Sequence, residues 1–259
     1  MSYLPLYKLS PLGDSALLVD FGNIISRPVN DTVISLFKKI QRTPVEGMTE
    51  VVPGYSSLAV YYDVLKLKGK IEDGQTVFQF MKDKISVLLQ EEFKPVVDTE
   101  TNMVKIPVCY EKEFAMDLEW MSLQLKKSAE EIIQLHTSKV YHVFMLGFLP
   151  GFAYMGEVDE KIVIPRKQQP VQVASGSVGI AGKQTGVYPL ISPGGWQIIG
   201  RTPVNMFKAP SKPSPKGKAS EDTERSSFSD QPTLLKAGDN VKFYSISKDE
   251  FENIKSRHS

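Results

Sequence analysis

Apolar residues in the first hundred positions follow two different spacings. Residues 15–21 and 58–62 are short β-rich runs that predict strands, and residues 51–55 are typical of a strand end and a turn. Two other stretches place apolar side chains at helical spacing, with Pro28 acceptable in a first turn: Val29, Val33, Leu36, Phe37 and Ile40, then Val77, Phe80, Met81, Ile85, Leu88 and Leu89. This order predicts a small sheet with two helices on one face, which is an α+β domain.

The second part of the chain has a different pattern. Residues 104–109 predict a strand, and Ser128 with Glu131 has the spacing of a capping box ahead of one helix, residues 128–136. From Tyr141 onward the helical period disappears, and short β-rich runs alternate with Gly and Pro turns. Several short strands at close spacing indicate a β-barrel or a β-sandwich.

Two polar stretches interrupt these patterns. Residues 91–102 are polar, contain Pro95, and predict a boundary between a domain at residues 1–97 and a domain at residues 103–259. Residues 208–231 are rich in Ser, Pro and Lys and cannot bury enough apolar surface to fold alone. We interpret them as a flexible insertion in the second domain, either a tolerated surface loop or a regulatory or docking segment.

Composition narrows the class of protein. The 259 residues are 41% hydrophobic with a net charge of +1, which is typical of a globular protein and gives no electrostatic reason to expect nucleic acid. No apolar run reaches the roughly 18 residues that span a membrane, and the first residues lack the features of a signal peptide. With Cys109 as the single cysteine, no internal disulfide can form, and we expect a cytoplasmic protein.

Ten of the 18 glycines lie in residues 147–200, called here the glycine-rich segment. Such density indicates either the corners of a compact barrel or backbone that approaches a ligand closely. Gly182 and Lys183 suggest a phosphate-binding loop, but that motif needs Gly where Ser177 stands and Ser or Thr where Gln184 stands. We therefore expect ATP, if it is used, to be bound elsewhere or by another chain.

Residues 161–220 contain no Asp or Glu but carry several cations, among them Arg166, Lys183 and Arg201. This charge pattern suits an anionic ligand, although solvated strand-end charges would look the same. The spacing of His136 and His142 matches no common metal pattern, so no metal site is expected. Four aromatic residues of the segment fit either a cleft or the barrel core: Phe148, Phe152, Tyr188 and Trp196.

Long motifs in the chain resemble the KipI/PxpB family, also called allophanate hydrolase subunit 1. The resemblance includes His136 and the motifs YHVFMLGFLPGFAY (141–154), IPR (164–166), SGSVGIAG (175–182), QTGVYP (184–189), GGWQIIGRTP (194–203) and LLKAGDNVKF (234–243). Shorter matches occur in the first domain, at residues 13–16 and 52–55. The resemblance covers nearly the whole chain, and the motifs keep their order.

The resemblance implies an α+β N-terminal domain followed by an all-β cyclophilin-like barrel. It also implies a role as the B subunit of an ATP-dependent 5-oxoprolinase, in which the partners are a PxpC/KipA-like barrel subunit and a PxpA (LamB/YcsF-like) subunit. This complex hydrolyses 5-oxo-L-proline to L-glutamate, and this chain is expected to be inactive alone. Two alternatives stay open: a KipI-like inhibitor of a sensor histidine kinase, and a carboxyltransferase-type or allophanate hydrolase-type subunit.

Candidate site residues follow from residue type and from membership of these motifs. Lactam hydrolysis driven by ATP places a carboxylate and a phosphate in one site, so cations must lie near both. His136, Arg166 and Lys183 are the candidate catalytic residues, with His136 as a proton shuttle. The candidate substrate-binding residues, which would hold the carboxylate or a developing oxyanion, are Gln184, Thr185, Tyr188 and Arg201.

Overall fold

The computed structural model describes residues 5–90, 103–208 and 232–257. The chain divides into two compact units, residues 1–101 and 102–259. The boundary predicted at residues 91–102 and residues 209–231 of the predicted insertion lie outside the described residues. No helix in the described part is long and apolar enough to cross a membrane.

Within residues 5–90, the first unit combines four strands with three helices. Its strands are Lys8–Pro11 (β1), Ala16–Asp20 (β2), Met48–Pro53 (β3) and Ser57–Tyr62 (β4), and its helices are Arg27–Arg42 (α1), Val64–Lys68 (α2) and Val77–Gln90 (α3). The strands form one antiparallel sheet in the order β1-β2-β4-β3. The strands predicted at residues 15–21 and 58–62 and both predicted helices are confirmed.

One apolar core holds the first unit together. Alternate residues of β2 and β4 point to the same face of the sheet, and α1 and α3 cover that face with their apolar stripes. The fully buried members of this core are Leu17, Val19, Val33, Leu36, Ile40, Leu58, Val60, Leu67, Met81 and Ile85. The period-2 and period-3.6 patterns of the sequence therefore meet in a single layer between sheet and helices.

The second unit is built on a larger sheet. Its strands are Met103–Val108 (β5), Tyr141–Leu146 (β6), Ala153–Gly156 (β7), Val171–Val173 (β8), Ser177–Ala181 (β9), Gln184–Val187 (β10), Ser192–Gly194 (β11), Gln197–Arg201 (β12) and Asn240–Ser245 (β13). Seven of them form one sheet in the order β12-β9-β10-β7-β6-β13-β5, while β8 and β11 pair as a separate ribbon. Its helices are Leu118–Leu125 (α4), Ala129–Ser138 (α5) and Lys248–Arg257 (α6), with a short 3-10 helix at Glu160–Ile162.

A bridge between Cys109 and Arg201 nearly closes this sheet into a barrel. Cys109 directly follows β5, and Arg201 ends β12, so the bridge joins the two edge strands. The Cys109 N–H donates to the Arg201 carbonyl at 2.8 Å, and the Arg201 N–H donates to the Cys109 carbonyl at 2.9 Å. Closure satisfies backbone groups that an open edge would leave exposed, and it holds Arg201 at the seam of the barrel.

The glycine-rich segment builds two apolar layers, one inside the barrel and one outside. Inward residues of β9 and β10, such as Val178 and Val187, join the main core of the unit. On the outer face, Gly186 lets the rings of Phe152 and Trp196 lie against the strand, because a Cβ there would stand 3.0 Å from each ring. An outer aromatic cluster results, formed by Phe152, Val173, Ala181, Tyr188, Trp196 and Ile198.

The second unit contains more helix than the sequence predicted, so the expectation of an all-β barrel is wrong. The predicted helix at residues 128–136 is confirmed as α5, and Ser128 with Glu131 forms the predicted capping box. The sequence pattern missed α4 and α6, which pack against the barrel. In α6 only Phe251 is buried, so its ten residues carry too weak an apolar stripe to show a helical period. The architecture is a mixed α/β fold with a nearly closed barrel-like sheet.

Candidate functional site

A pocket of about 230 Å³ lies beside the barrel seam, where Arg201 ends β12. Its wall combines the end of β12, the turn before β9 and one face of α6, and it is lined by Ser175, Gly176, Arg201, Thr202, Pro203, Val204, Asn205, Phe251 and Lys255. The buried ring of Phe251 packs near Cys109, so α6 is fixed against the seam. Residues far apart in the sequence therefore meet at this point because the barrel closes here.

Gly176 allows the two loops of this pocket to come close. Its φ of +83° lies in the left-handed region, and a Cβ at this position would stand 2.3 Å from the Thr202 carbonyl oxygen. The Thr202 N–H donates to the Gly176 carbonyl at 2.9 Å, which holds the loops together. At this position the glycine is required both by its backbone angle and by lack of space.

Arg201 is oriented within the pocket. Its Nε donates to the Ser175 carbonyl at 2.7 Å, so the side chain is held and the N–H groups of both Nη atoms are left for other acceptors. In the described part of the chain Arg201 has no ion-pair partner. The lining adds a second cation, Lys255, and the described residues of the lining include no Asp or Glu. A pocket with this charge favours a carboxylate or a phosphate.

Two other candidates, His136 and Thr185, lie inside the barrel and contact each other. His136 Nε2 is 2.9 Å from Thr185 Oγ1, and His136 Nδ1 is 2.8 Å from the Tyr110 hydroxyl. Thr185 donates its single hydroxyl hydrogen to the Gly179 carbonyl at 3.1 Å, so it must accept from His136. His136 is therefore the neutral tautomer with its hydrogen on Nε2, and the Tyr110 hydroxyl donates to Nδ1.

Burial holds His136 in this neutral form. The ring stacks on Phe243 with 4.7 Å between centroids, and desolvation lowers its pKa from 6.5 to about 3. Both His136 and Thr185 have 0% exposure. This burial argues against the predicted roles, a proton shuttle for His136 and a hydrogen-bond donor to a ligand for Thr185, whose hydroxyl hydrogen is already donated to the Gly179 carbonyl. These two residues are core residues.

Arg166 lies at the edge of the outer aromatic cluster, and Tyr188 is one of its members. The guanidinium carbon of Arg166 is 5.8 Å from the centroid of the Trp196 ring, an arrangement that favours a cation–π contact. Tyr188 is buried, and burial raises the pKa of its hydroxyl, an effect that backbone N–H groups of Trp196 and Gly195 partly offset. Arg166 is therefore an exposed cation at the edge of this cluster, whereas Tyr188 is one of its packed members.

Lys183 and Gln184 lie at the turn between β9 and β10. Lys183 is exposed, and its Nζ is 3.7 Å from a Glu160 carboxylate oxygen, so the acid-free stretch is partly neutralised by an acidic residue just outside it. In the β9–β10 hairpin Gln184 pairs with Ala181, while Arg201 pairs with Ser177 at the other end of β9. Four residues of strand separate these ends by about 13 Å.

The seven candidate residues therefore occupy four places and not one site: the pocket, the barrel interior, the outer aromatic cluster and the hairpin turn. Of the seven, the pocket contains Arg201. Sequence reasoning missed Asn205 and Lys255, which share this pocket. Phe251 and Lys255, four residues apart, give one apolar and one cationic position on the same helix face, a weak signal that could have pointed to α6.

Comparison with known proteins connects this geometry to a family. The family described as "Carboxyltransferase domain, subdomain C and D" matches residues 7–216. The 5-oxoprolinase B subunit of Bacillus subtilis is 39% identical over 253 residues, which cover 96% of this chain and 97% of that protein. This chain belongs to the KipI/PxpB family of 5-oxoprolinase B subunits. The PxpB-type relative from Haemophilus influenzae, also named as a 5-oxoprolinase B subunit, is 37% identical and covers 91% of this chain and 96% of that protein.

Solved structures place the PxpB-type fold within larger proteins as well. The crystal structure of TTHA0988 has a TM-score of 0.70 and 29% identity, covering 90% of this chain but 40% of that chain. The urea amidolyase of K. lactis shares the fold with a TM-score of 0.72 at 18% identity, covering 99% of this chain and 16% of that chain. The PxpB-type chain thus corresponds to a unit that other proteins carry as part of a longer polypeptide.

Proposed function

We propose that this chain is the B subunit of an ATP-dependent 5-oxoprolinase complex, which hydrolyses 5-oxo-L-proline to L-glutamate. The observation that carries this proposal is similarity over 93–97% of the length of relatives named as 5-oxoprolinase B subunits, at 37–39% identity. The name implies further subunits, and the family resemblance supplies their classes: a PxpC/KipA-like barrel subunit and a PxpA (LamB/YcsF-like) subunit. The chain alone is expected to be inactive.

The reaction needs an activated amide, because resonance makes a lactam carbonyl a poor electrophile. In the proposed sequence the carbonyl oxygen attacks the γ-phosphorus of ATP and ADP leaves, which gives a phosphorylated imidate. Water then attacks the ring carbon, the carbon–nitrogen bond breaks, and the departing nitrogen takes a proton. A second water hydrolyses the resulting acyl phosphate, so that one lactam, one ATP and two waters give glutamate, ADP and phosphate.

The pocket beside the barrel seam is the part of this chain best suited to that chemistry. Arg201 presents an oriented guanidinium without a carboxylate partner in the described residues, and the substrate carries a carboxylate. Arg166 and Lys183 lie outside this pocket. In this proposal the phosphoryl group and the nucleotide are therefore held largely by the partner subunits, in line with the absence of a phosphate-loop motif from the sequence.

Reconstitution tests the proposal. The full chain is mixed with the two partner subunits, ATP and 5-oxo-L-proline, and glutamate is measured, with each protein omitted in turn. We expect glutamate from the complete mixture and background amounts from each incomplete one. An inactive complete mixture, together with inhibition of histidine kinase autophosphorylation by this chain, would instead establish the regulatory alternative.

A further inference from the structure

The volume of the Arg201 pocket limits what it can hold. A water molecule takes about 30 Å³ in the liquid, so 230 Å³ has room for roughly eight waters. Sites for drug-sized ligands usually begin near 300 Å³. A five-membered ring with a single carboxylate is of the right size to fill it, whereas a nucleoside triphosphate would extend well beyond it.

The walls of the pocket differ in chemistry. Arg201 and Lys255 supply positive charge, and the Lys255 Nζ lies 6.0 Å from the centroid of the Phe251 ring, one helical turn earlier in α6. Phe251, with Pro203 and Val204, supplies apolar surface suited to ring methylene groups. The Asn205 carboxamide offers both a hydrogen-bond donor and an acceptor. The three kinds of surface match the three parts of a cyclic amide that carries a carboxylate.

We propose that this pocket binds a small cyclic amide carboxylate, in which Arg201 and Lys255 hold the carboxylate and Asn205 recognises the ring amide. The Arg201 guanidinium is planar and fixed through Nε, so its remaining N–H groups form a fork that fits the two oxygens of a carboxylate. A lactam is a cis amide, whose N–H and C=O lie on the same side of the ring. One carboxamide group can therefore pair with both.

The identification of the ligand as 5-oxo-L-proline rests on the proposed function. The charge, size and polarity of the pocket are observed independently of that function. The proposal also gives α6 a role in binding, because Lys255 and Phe251 both come from that helix. Arg257 lies on the same helix, is exposed and does not line the pocket. It provides a matched control for the loss of one positive charge.

Steady-state kinetics of the assembled three-subunit complex test the proposal. Arg201→Lys removes the guanidinium fork and should raise KM for 5-oxoproline about tenfold or more. Lys255→Ala should raise this KM about threefold, a smaller effect because Lys255 is exposed. Asn205→Asp should also raise KM, since a carboxylate repels the lactam oxygen. KM for ATP should stay unchanged in all three variants, and Arg257→Ala should leave both values within about twofold of the wild type.

Several results would overturn the pocket assignment. If the complex makes glutamate while Arg201→Lys and Lys255→Ala leave KM for 5-oxoproline unchanged, the pocket does not bind the substrate and the proposed function stands. A rise in KM for ATP alone would show that the pocket holds phosphate. Because Lys255 is exposed, its variant should fold even if Arg201→Lys does not.

If the wild-type complex makes no glutamate, the proposed function fails, and direct binding then decides on the pocket. Ligand-observed NMR of 5-oxoproline with the full chain should show line broadening that Lys255→Ala weakens and Arg257→Ala does not. The uncharged lactam 2-pyrrolidinone should show little broadening, since it lacks the carboxylate. Absence of broadening by the wild-type chain, or equal broadening by both variants, would overturn the proposed site.

Discussion

The buried His136 should make the second unit less stable as pH falls, and its replacement should remove that dependence. In the folded chain its pKa is about 3, against an ordinary value of 6.5. Below about pH 6.5 the unfolded chain therefore binds a proton that the folded chain does not bind until near pH 3. Stability linked to this group is complete above pH 6.5 and is lost as pH falls from 6.5 towards 3.

The magnitude follows from the same two pKa values. Within that window a difference of one bound proton changes the free energy of unfolding by about 1.4 kcal/mol per pH unit. Between pH 7.5 and pH 5 the titration of His136 should therefore cost the folded state about 2 kcal/mol. Burial is the physical reason, because the charged imidazolium would lose its hydration inside the barrel. Protonation would also place a second donor where the Tyr110 hydroxyl already donates.

Denaturant unfolding followed by tryptophan fluorescence measures this effect. Both tryptophans of the chain, Trp120 and Trp196, lie in the second unit, so their emission reports that unit selectively. Between pH 7.5 and pH 5, the free energy of unfolding should fall by about 2 kcal/mol more in the wild-type protein than in His136→Gln. Carboxylates contribute equally to the pH dependence of both proteins. Equal pH dependence in the two proteins would show that His136 titrates normally in the folded chain, and would contradict a histidine held neutral by burial.

Three further changes should affect stability. Gly186→Ala should lower the free energy of unfolding by about 1–3 kcal/mol, because the added Cβ meets two rings at 3.0 Å. As a control in the same assay, Gly195→Ala should change it by no more than about 0.5 kcal/mol, because the nearest atom to its Cβ is 3.9 Å away. Ser128→Ala removes the capping box of α5 and should cost about 1 kcal/mol; an unchanged unfolding midpoint would contradict the cap. Tyr110→Phe leaves His136 Nδ1 without its hydrogen-bond donor and should lower the free energy of unfolding by about 1–3 kcal/mol. An unfolding midpoint at the same denaturant concentration as the wild type would contradict this hydrogen bond.

Local signals in the sequence predicted local structure well. Ser128 and Glu131 located the start of α5 because a capping box depends on residues only three positions apart. Apolar spacing found α1, α3 and the strands β2 and β4 because each carries a continuous buried face. The helix α6 was missed because it presents little apolar surface and is held mainly through Phe251.

Contacts between distant residues were beyond sequence reasoning. Nothing near His136 indicates that Thr185, 49 positions later, accepts its hydrogen bond across the barrel interior. Glycine density predicted corners, yet Gly186 lies within a strand and makes room for aromatic rings, a role set by neighbouring strands. Charge pattern identified Arg201 as a candidate, but its partner cation Lys255 lies outside the acid-free stretch and reaches the pocket because α6 packs at the seam.

The stoichiometry of the reconstituted reaction tests the proposed function most directly. Wild-type chain, its PxpC/KipA-like partner and its PxpA-like partner are incubated with ATP and 5-oxo-L-proline, and glutamate and ADP are measured together. We predict that glutamate forms only when all three proteins are present, accompanied by ADP in about equal amount when the reaction is well coupled. Glutamate formed without this chain, or none from the complete mixture, would contradict the assignment of this chain as the B subunit of an ATP-dependent 5-oxoprolinase.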